Sequence, residues 1–80
     1  MELNTLTDTH SLITKKIGGE LKKIRKQKKI SYVQLAQEIG INKNTYYSLE
    51  NGHNFTIKTL LMVLDHHNIS LSDFFIKLNL

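Results

Sequence analysis

The stretch from Lys43 to Asn51 carries amide, hydroxyl and ammonium side chains at spacings that gather them on one side of a helix. Asparagine can pair with adenine through two hydrogen bonds, and lysine can donate to guanine. A helix face that is only solvated more often mixes glutamate with lysine. The stretch therefore favours a surface that reads nucleic-acid bases, through Lys43, Asn44, Tyr47, Ser48 and Asn51.

The positive charge of the chain is concentrated elsewhere. The 80-residue sequence has a net charge of +4, and eight of its eleven basic residues lie between Lys15 and Lys29, opposed there only by Glu20. A small basic chain suggests a nucleic-acid partner or another anionic surface. Two interpretations of the lysine run stay open: direct contact with phosphates, or a solvated face that keeps the protein in solution.

Several classes of site and protein are disfavoured by composition. The chain has no cysteine, which excludes disulfides and thiolate zinc sites. His53, His66 and His67 contain no i, i+4 pair for a metal, and the histidines near residue 66 are interpreted as partly protonated groups that suit a helix C-terminus. There is no phosphate-binding glycine loop or paired carboxylate, so we predict a non-enzyme without cofactor or metal.

Targeting and membrane signals are also missing from the sequence. Residues 1–12 lack the basic start and apolar run of a signal peptide. The longest apolar run, Leu60 to Leu64, is far shorter than the ~18 residues that a membrane span needs. We therefore predict a cytoplasmic protein without a membrane partner.

Helix boundaries are marked by four repeats of one pattern. A polar residue follows an apolar one, and a second apolar residue stands five positions after the first, as in an N-cap with a hydrophobic staple. The predicted caps are Ser31, Asn42, Thr56 and Ser70. Together with apolar periodicity, they predict helices over about 13–28, 32–39, 43–51, 57–67 and 71–78.

These elements predict an all-α domain of five helices over residues 13–80, preceded by a flexible N-terminal arm over 1–12. Helices 2 and 3 are joined only by Gly40, Ile41 and Asn42. Two short helices joined so tightly have the geometry of a helix-turn-helix, and glycine can adopt the positive φ that the bend requires.

The stretch from Ile17 to Phe75 resembles the Cro/phage-repressor helix-turn-helix family, also called the Xre family. The resemblance is carried by SYVQLAQEIGINKNTYYSLENG, and then by FTIKTLLMVL and ISLSDFF. The last two segments also resemble the DNA-binding domain of Rgg-type regulators and the small controller proteins of restriction–modification systems. A further interpretation is that the chain is a fragment of a longer Rgg-like regulator.

The resemblance implies residue roles. It assigns a DNA-binding surface to Tyr32, Asn42, Lys43, Asn44, Thr45, Tyr47, Ser48 and Asn51. Tyr32 and Asn42 are expected to contact phosphates, and Asn51 to offer its backbone N–H to one. The resemblance also implies a structural pair between Arg25 and Glu50.

Two positions depart from the family pattern. Tyr32 stands where the family usually has glutamine, and a tyrosine cannot copy a glutamine that also braces a neighbouring side chain. Tyr46 stands where the family usually has valine or isoleucine. We expect Tyr46 in the core, with its hydroxyl either hydrogen-bonded or at the edge.

The expected function is that of a transcription regulator, a repressor or autoregulator, that binds a palindromic operator as a homodimer. One monomer offers three or four base-reading side chains, at ~1–3 kcal/mol for each good pair, so a monomer would discriminate poorly. The dimer interface is predicted at Met62, Phe74, Phe75 and Leu78. The alternative is that these residues only close the monomer core. A second functional interpretation is a protein-interaction module on this fold, an antitoxin or anti-repressor component.

Overall fold

Five α-helices form the fold in the computed structural model, which describes residues 2–53 and 55–79, with side chains from residue 10 onward. They are α1 (Glu2–Gln27), α2 (Tyr32–Ile39), α3 (Lys43–Glu50), α4 (Ile57–His66) and α5 (Leu71–Leu78). The described residues contain no strand, which agrees with the predicted all-α class, and none of their helices is apolar over enough length to cross a bilayer.

Helix α1 begins well before the predicted start at residue 13. Its backbone is helical from Glu2, so the predicted start was wrong, and residues 2–12 extend the helix. The physical reason is that the chain has no proline and its first glycine is Gly18, so no helix-breaking residue separates the two segments. That residues 1–12 move as a flexible arm stays a prediction, and Met1 lies outside the described residues.

The other four helices begin where the capping pattern predicts. Ser31, Asn42, Thr56 and Ser70 all have extended backbone, and each side-chain oxygen accepts a hydrogen bond from a backbone N–H of its helix's first turn. Gly40 ends α2 with φ of 89°, a value that residues with a Cβ rarely adopt. Its N–H donates to the carbonyl of Ala36 over 2.9 Å, and this bend turns the chain into α3.

The core draws apolar side chains from all five helices. Its buried members are Ile17, Leu21, Ile24, Leu35, Ala36, Tyr46, Leu49, Leu60, Val63, Leu64, Phe74 and Leu78. Helix α3 packs mainly on α1 and α2, which holds one side of it inside the protein and leaves the other in solvent. Tyr46 lies fully inside the core, as expected from the sequence.

Two of the four residues predicted for the dimer interface belong to this core instead. Phe74 is 0% exposed and Leu78 is 9% exposed, so their assignment to a surface was wrong. On α5 the side chains at positions 74 and 78 lie four residues apart, on the stripe that faces the other helices. Met62 is exposed, whereas Phe75 is half-buried and packs against the core.

Gly18 sets the separation between α1 and α3. A Cβ at this position would lie 2.3 Å from the carbonyl oxygen of Glu50 and 2.6 Å from that of Leu49. Both of these atoms are backbone, so they cannot move without displacing the end of α3. A Cβ at the adjacent Gly19 would meet nothing within 4 Å.

The two glycines therefore predict opposite effects of alanine. Gly18→Ala should lower the free energy of unfolding by ~1–3 kcal/mol, because α3 must move away from α1. Gly19→Ala should raise it by ~0.5–1 kcal/mol, because alanine is the better helix former and the site is open. Urea unfolding followed by circular dichroism measures both. Equal effects of the two substitutions would contradict the close approach of α1 and α3.

His67 ends α4 as a buried neutral residue. Lys28 Nζ donates to its Nδ1 over 2.7 Å, and its Nε2 is buried without a hydrogen-bond partner among the described residues. Burial, and then the positive charge of Lys28, lower the pKa of His67 to about 4. The interpretation of this histidine as a partly protonated group at a helix end was therefore wrong.

Stability should depend on pH through His67. Its pKa of about 4 in the folded protein lies below the ordinary value of 6.5, so the unfolded chain takes up the proton first. The contribution of neutral His67 to the free energy of unfolding is fully present above pH ~6.5 and is lost as pH falls towards ~4. We expect the free energy of unfolding to be ~1–2 kcal/mol lower at pH 5 than at pH 7.5.

Urea unfolding at these two pH values tests the assignment. His67→Gln should remove most of the difference, whereas His53→Gln, at an exposed position, should retain it. The same pH dependence in all three proteins would show that another group is responsible.

Candidate nucleic-acid interface

The first turn of α3 is the most accessible part of the predicted DNA-binding surface. The structure brings Lys43, Asn44 and Thr45 together there, and all three are exposed. The first turn of a helix also presents backbone N–H groups and the positive end of the helix dipole, which attract phosphate. This turn therefore combines donors for base edges with a site that favours an anion.

The side chain of Asn42 has one group that caps α3 and another that can contact a ligand. Its Oδ1 accepts the N–H of Asn44 over 2.7 Å and so fixes the start of α3. The Nδ2 group belongs to the same exposed side chain and can donate outward. Asn42 can therefore cap the helix and contact a phosphate at once, as the resemblance implies.

Tyr32 and Tyr47 form an aromatic pair between α2 and α3. Their ring centroids are 5.4 Å apart, and the ring planes are tilted by 54°. Tyr32 is half-buried, whereas Tyr47 remains 49% exposed. The tyrosine at position 32 thus packs its ring against Tyr47, a contact that the sequence analysis did not anticipate.

The end of α3 offers fewer hydrogen-bond donors for DNA than the sequence suggested. The backbone N–H of Asn51 donates to the carbonyl of Tyr47 over 3.1 Å, and the side-chain Nδ2 donates to the same oxygen over 2.8 Å. The N–H that was expected to bind phosphate is therefore already used within the helix end. Ser48 is half-buried, one turn back along α3 from the exposed Asn51.

A buried ion pair connects α3 to α1. Arg25 Nε donates to Glu50 Oε2 over 2.6 Å, and Arg25 Nη2 donates to Glu50 Oε1 over 3.1 Å. The pair is bidentate, a geometry that fixes orientation as well as distance. The side chains are only 12% and 5% exposed, so water screens this pair much less than a surface pair.

Tyr46 and Ile30 complete the network around this pair. The Tyr46 hydroxyl donates to Glu50 Oε2 over 2.5 Å, which satisfies a polar group in the core. Arg25 Nη1 donates to the carbonyl oxygen of Ile30 over 2.8 Å, just before α2. One guanidinium therefore ties α1, the approach to α2 and the end of α3 to each other.

The protonation states of the network follow from burial and hydrogen bonding. Hydrogen bonding to Glu50 raises the pKa of Arg25 above its usual value, against the opposing effect of burial. Burial, followed by the hydrogen bond to Glu50, raises the pKa of the Tyr46 hydroxyl. Both groups therefore remain proton donors to the carboxylate over the physiological pH range.

Sequence reasoning missed three contacts of this site. The Tyr46–Glu50 hydrogen bond joins residues four apart on a helix, a spacing that could have suggested it. The Tyr32–Tyr47 pair required knowledge of how α2 and α3 cross. The bond from Arg25 to the Ile30 carbonyl involves a backbone acceptor, for which residue types give no signal.

The lysine-rich run lies on the exposed side of α1 and in the turn that follows it. All seven lysines between positions 15 and 29 are exposed. Lys15 is next to the end of α3, because a Cβ on Gly52 would lie 2.9 Å from its Cα. Among the described residues, no three histidine, aspartate or glutamate side chains gather closely enough to hold a metal ion.

Comparison with known proteins identifies the family. A family model described as helix-turn-helix matches residues 21–74, which is more than half of the chain. No curated protein and no solved structure matches the sequence. The match covers α2 and α3, the whole Arg25–Glu50 network and the exposed first turn of α3. The chain belongs to the Cro/phage-repressor type of helix-turn-helix family, the Xre family, and is a DNA-binding regulator.

Proposed function

We propose that the protein is a sequence-specific regulator of transcription, a repressor or autoregulator, that binds a palindromic operator in double-stranded DNA as a homodimer. The observation that supports this most is the exposed first turn of α3, with Lys43, Asn44 and Thr45, held by a buried network on its inner side. In this proposal the protein is cytoplasmic, has no catalytic activity and needs no cofactor.

The proposed reading mode places α3 of each subunit in the major groove. Lys43 and Asn44 carry donors suited to guanine and adenine, and Thr45 can contact either base type or a thymine methyl. Tyr47 and Ser48 lie further along the helix, beside the groove wall. In a two-fold dimer the half-sites would be about 34 Å apart, one turn of the duplex.

Phosphate contacts would set the register of this helix. The N–H groups at the start of α3, the Asn42 amide and the Tyr32 hydroxyl are proposed as donors to phosphate oxygens. Among the α1 lysines, Lys15 is proposed as a further phosphate contact, because its backbone adjoins Gly52 just after α3. The remaining α1 lysines would contribute mainly a long-range attraction.

Asn44→Ala tests the base-reading role. We expect the substitution to cost ~1–3 kcal/mol of binding free energy on the preferred operator and to relax preference at one base pair. Binding to a random duplex should change little. The readout is fluorescence anisotropy on an operator chosen from randomised duplexes, with Ser72→Ala on α5 as the control. Unchanged affinity and preference would show that α3 does not read bases as proposed.

Salt dependence separates this function from the protein-interaction alternative. DNA binding should weaken steeply as salt rises, with a slope set by the number of phosphates neutralised. Lys43→Gln should reduce the magnitude of that slope by about 0.9 if the lysine contacts a phosphate, and leave it unchanged if it contacts only a base. Lys77→Gln, on α5, should leave it unchanged. A nearly flat salt response of the wild-type protein would favour a protein partner.

A further inference from the structure

Helix α4 exposes an apolar face that the proposed DNA contacts leave unused. Ile57 is 59% exposed, Leu61 43% and Met62 36%. These are three of the six large apolar side chains exposed in the described part of the chain. We call this surface the α4 face, and it also includes the exposed residues Lys58 and Asp65.

Lys58 and Asp65, the two charged residues of the α4 face, form no ion pair with another described residue of the subunit. The ion pairs among the described residues are Arg25–Glu50 and Lys77–Glu20, and Glu38 contacts His66. Lys58 and Asp65 are seven residues apart, so they lie on the same side of α4 and about 10 Å apart along it. Each is exposed and can therefore pair with a charge on another molecule.

The α4 face has a symmetric pattern about its midpoint. Leu61 and Met62 lie halfway along α4 between Lys58 and Asp65. Because successive residues are rotated by about 100°, the two apolar side chains lie on opposite sides of the line from Lys58 to Asp65. An apolar centre is thus flanked by one positive and one negative charge at equal distances. A second α4 helix that runs in the opposite direction would therefore place each charge opposite a charge of the other sign.

An open groove adjoins this pattern. It has a volume of about 530 Å³ and runs between α4 and the start of α5. Its apolar lining includes Leu64, Ile69 and Leu71, next to Ile57 and Leu61. The groove is therefore a place where an apolar side chain from another molecule can be buried.

We propose that a second copy of this chain docks on the α4 face, with the two α4 helices antiparallel about a two-fold axis at the level of Leu61 and Met62. Lys58 then faces Asp65 of the partner subunit, and Asp65 faces Lys58 of the partner subunit. The inference names the interface of the proposed dimer and so rests on the proposed function. A parallel arrangement would instead place like charges together, which is unfavourable.

The same antiparallel arrangement places an apolar side chain of the partner subunit at the groove. Ile57 stands one residue outside Lys58, on the groove side of α4. In this register, Ile57 of the partner subunit lies at the level of position 66, between Leu64 and Ile69 of the groove. The two central residues, Leu61 and Met62, are covered by their own counterparts, so the four exposed apolar side chains at the axis leave water together.

Reversal of charge tests the register. Lys58→Asp should weaken the dimer about tenfold, because two attractive pairs become repulsive, and Asp65→Lys should do the same. The double variant Lys58→Asp/Asp65→Lys restores both pairs and should recover the wild-type dissociation constant within about threefold. Sedimentation velocity at low ionic strength, without DNA, measures all four proteins. Lys77→Asp on α5 is the matched control for Lys58→Asp, since both change the net charge by the same amount.

A second pair of variants tests the apolar centre. Leu61→Asp should weaken the dimer more than about tenfold, because it buries a charge at the axis. Ile76→Asp changes a more exposed apolar residue, at 76% exposure, and should leave the dimer unchanged. Circular dichroism establishes that each variant is folded.

These results separate the interface from the function. A wild-type protein that stays monomeric, single reversals without effect, or a double variant as weak as the single ones would each overturn the α4 interface. Specific DNA binding that nevertheless depends on Asn44 would leave the proposed regulator standing. Dimers with the expected charge dependence but no sequence-specific DNA binding would support the interface and overturn the regulator.

Discussion

The buried pairing of Arg25 with Glu50 is the interaction on which the rest of the structure depends. A short helix such as α3, with only eight residues, has little stability of its own and takes its position from the contacts it makes. The bidentate ion pair fixes its C-terminal end against α1, and Gly18 permits the close approach of the two helices. The Tyr46 hydroxyl satisfies the same carboxylate from inside the core.

In this arrangement, the residues that attract DNA electrostatically differ from those proposed to recognise its sequence. Much of the positive charge lies on the exposed side of α1, whereas the proposed base-reading groups lie on a stretch of α3 with little net charge. Charges on α1 can raise the rate of encounter with DNA without any choice of sequence. The choice depends on a few neutral and singly charged side chains, and these are useful only if α3 is held in one orientation.

Local signals in the sequence were enough to predict where four of the five helices begin. The caps at Ser31, Asn42, Thr56 and Ser70 depend on residue types next to one another, and the structure confirms each of them. The start of α1 could not be predicted, because residues 2–12 carry no cap or periodic apolar stripe. Phe74 and Leu78 were misassigned because an excess of apolar residues on α5 does not show which of them face the core.

The site was predicted in its position more than in its contacts. Residue types placed Lys43 and Asn44 on the outer side of α3, and the resemblance supplied Thr45 and the pairing of Arg25 with Glu50. The use of the Asn51 N–H within the helix end, and the packing of Tyr32 on Tyr47, depend on tertiary geometry. Spacing along a chain does not determine how two helices cross, so these contacts could not be read from it.

A double-mutant cycle on Arg25 and Glu50 tests the central claim most directly. The free energies of unfolding of Arg25→Met, Glu50→Gln and the double variant are compared with that of the wild type. If the buried pair positions α3, each single variant should lose ~3–5 kcal/mol, because it strands a buried charged or polar partner. The coupling energy should then reach ~2–3 kcal/mol. A coupling energy near zero would contradict the account, since the two side chains would then act independently.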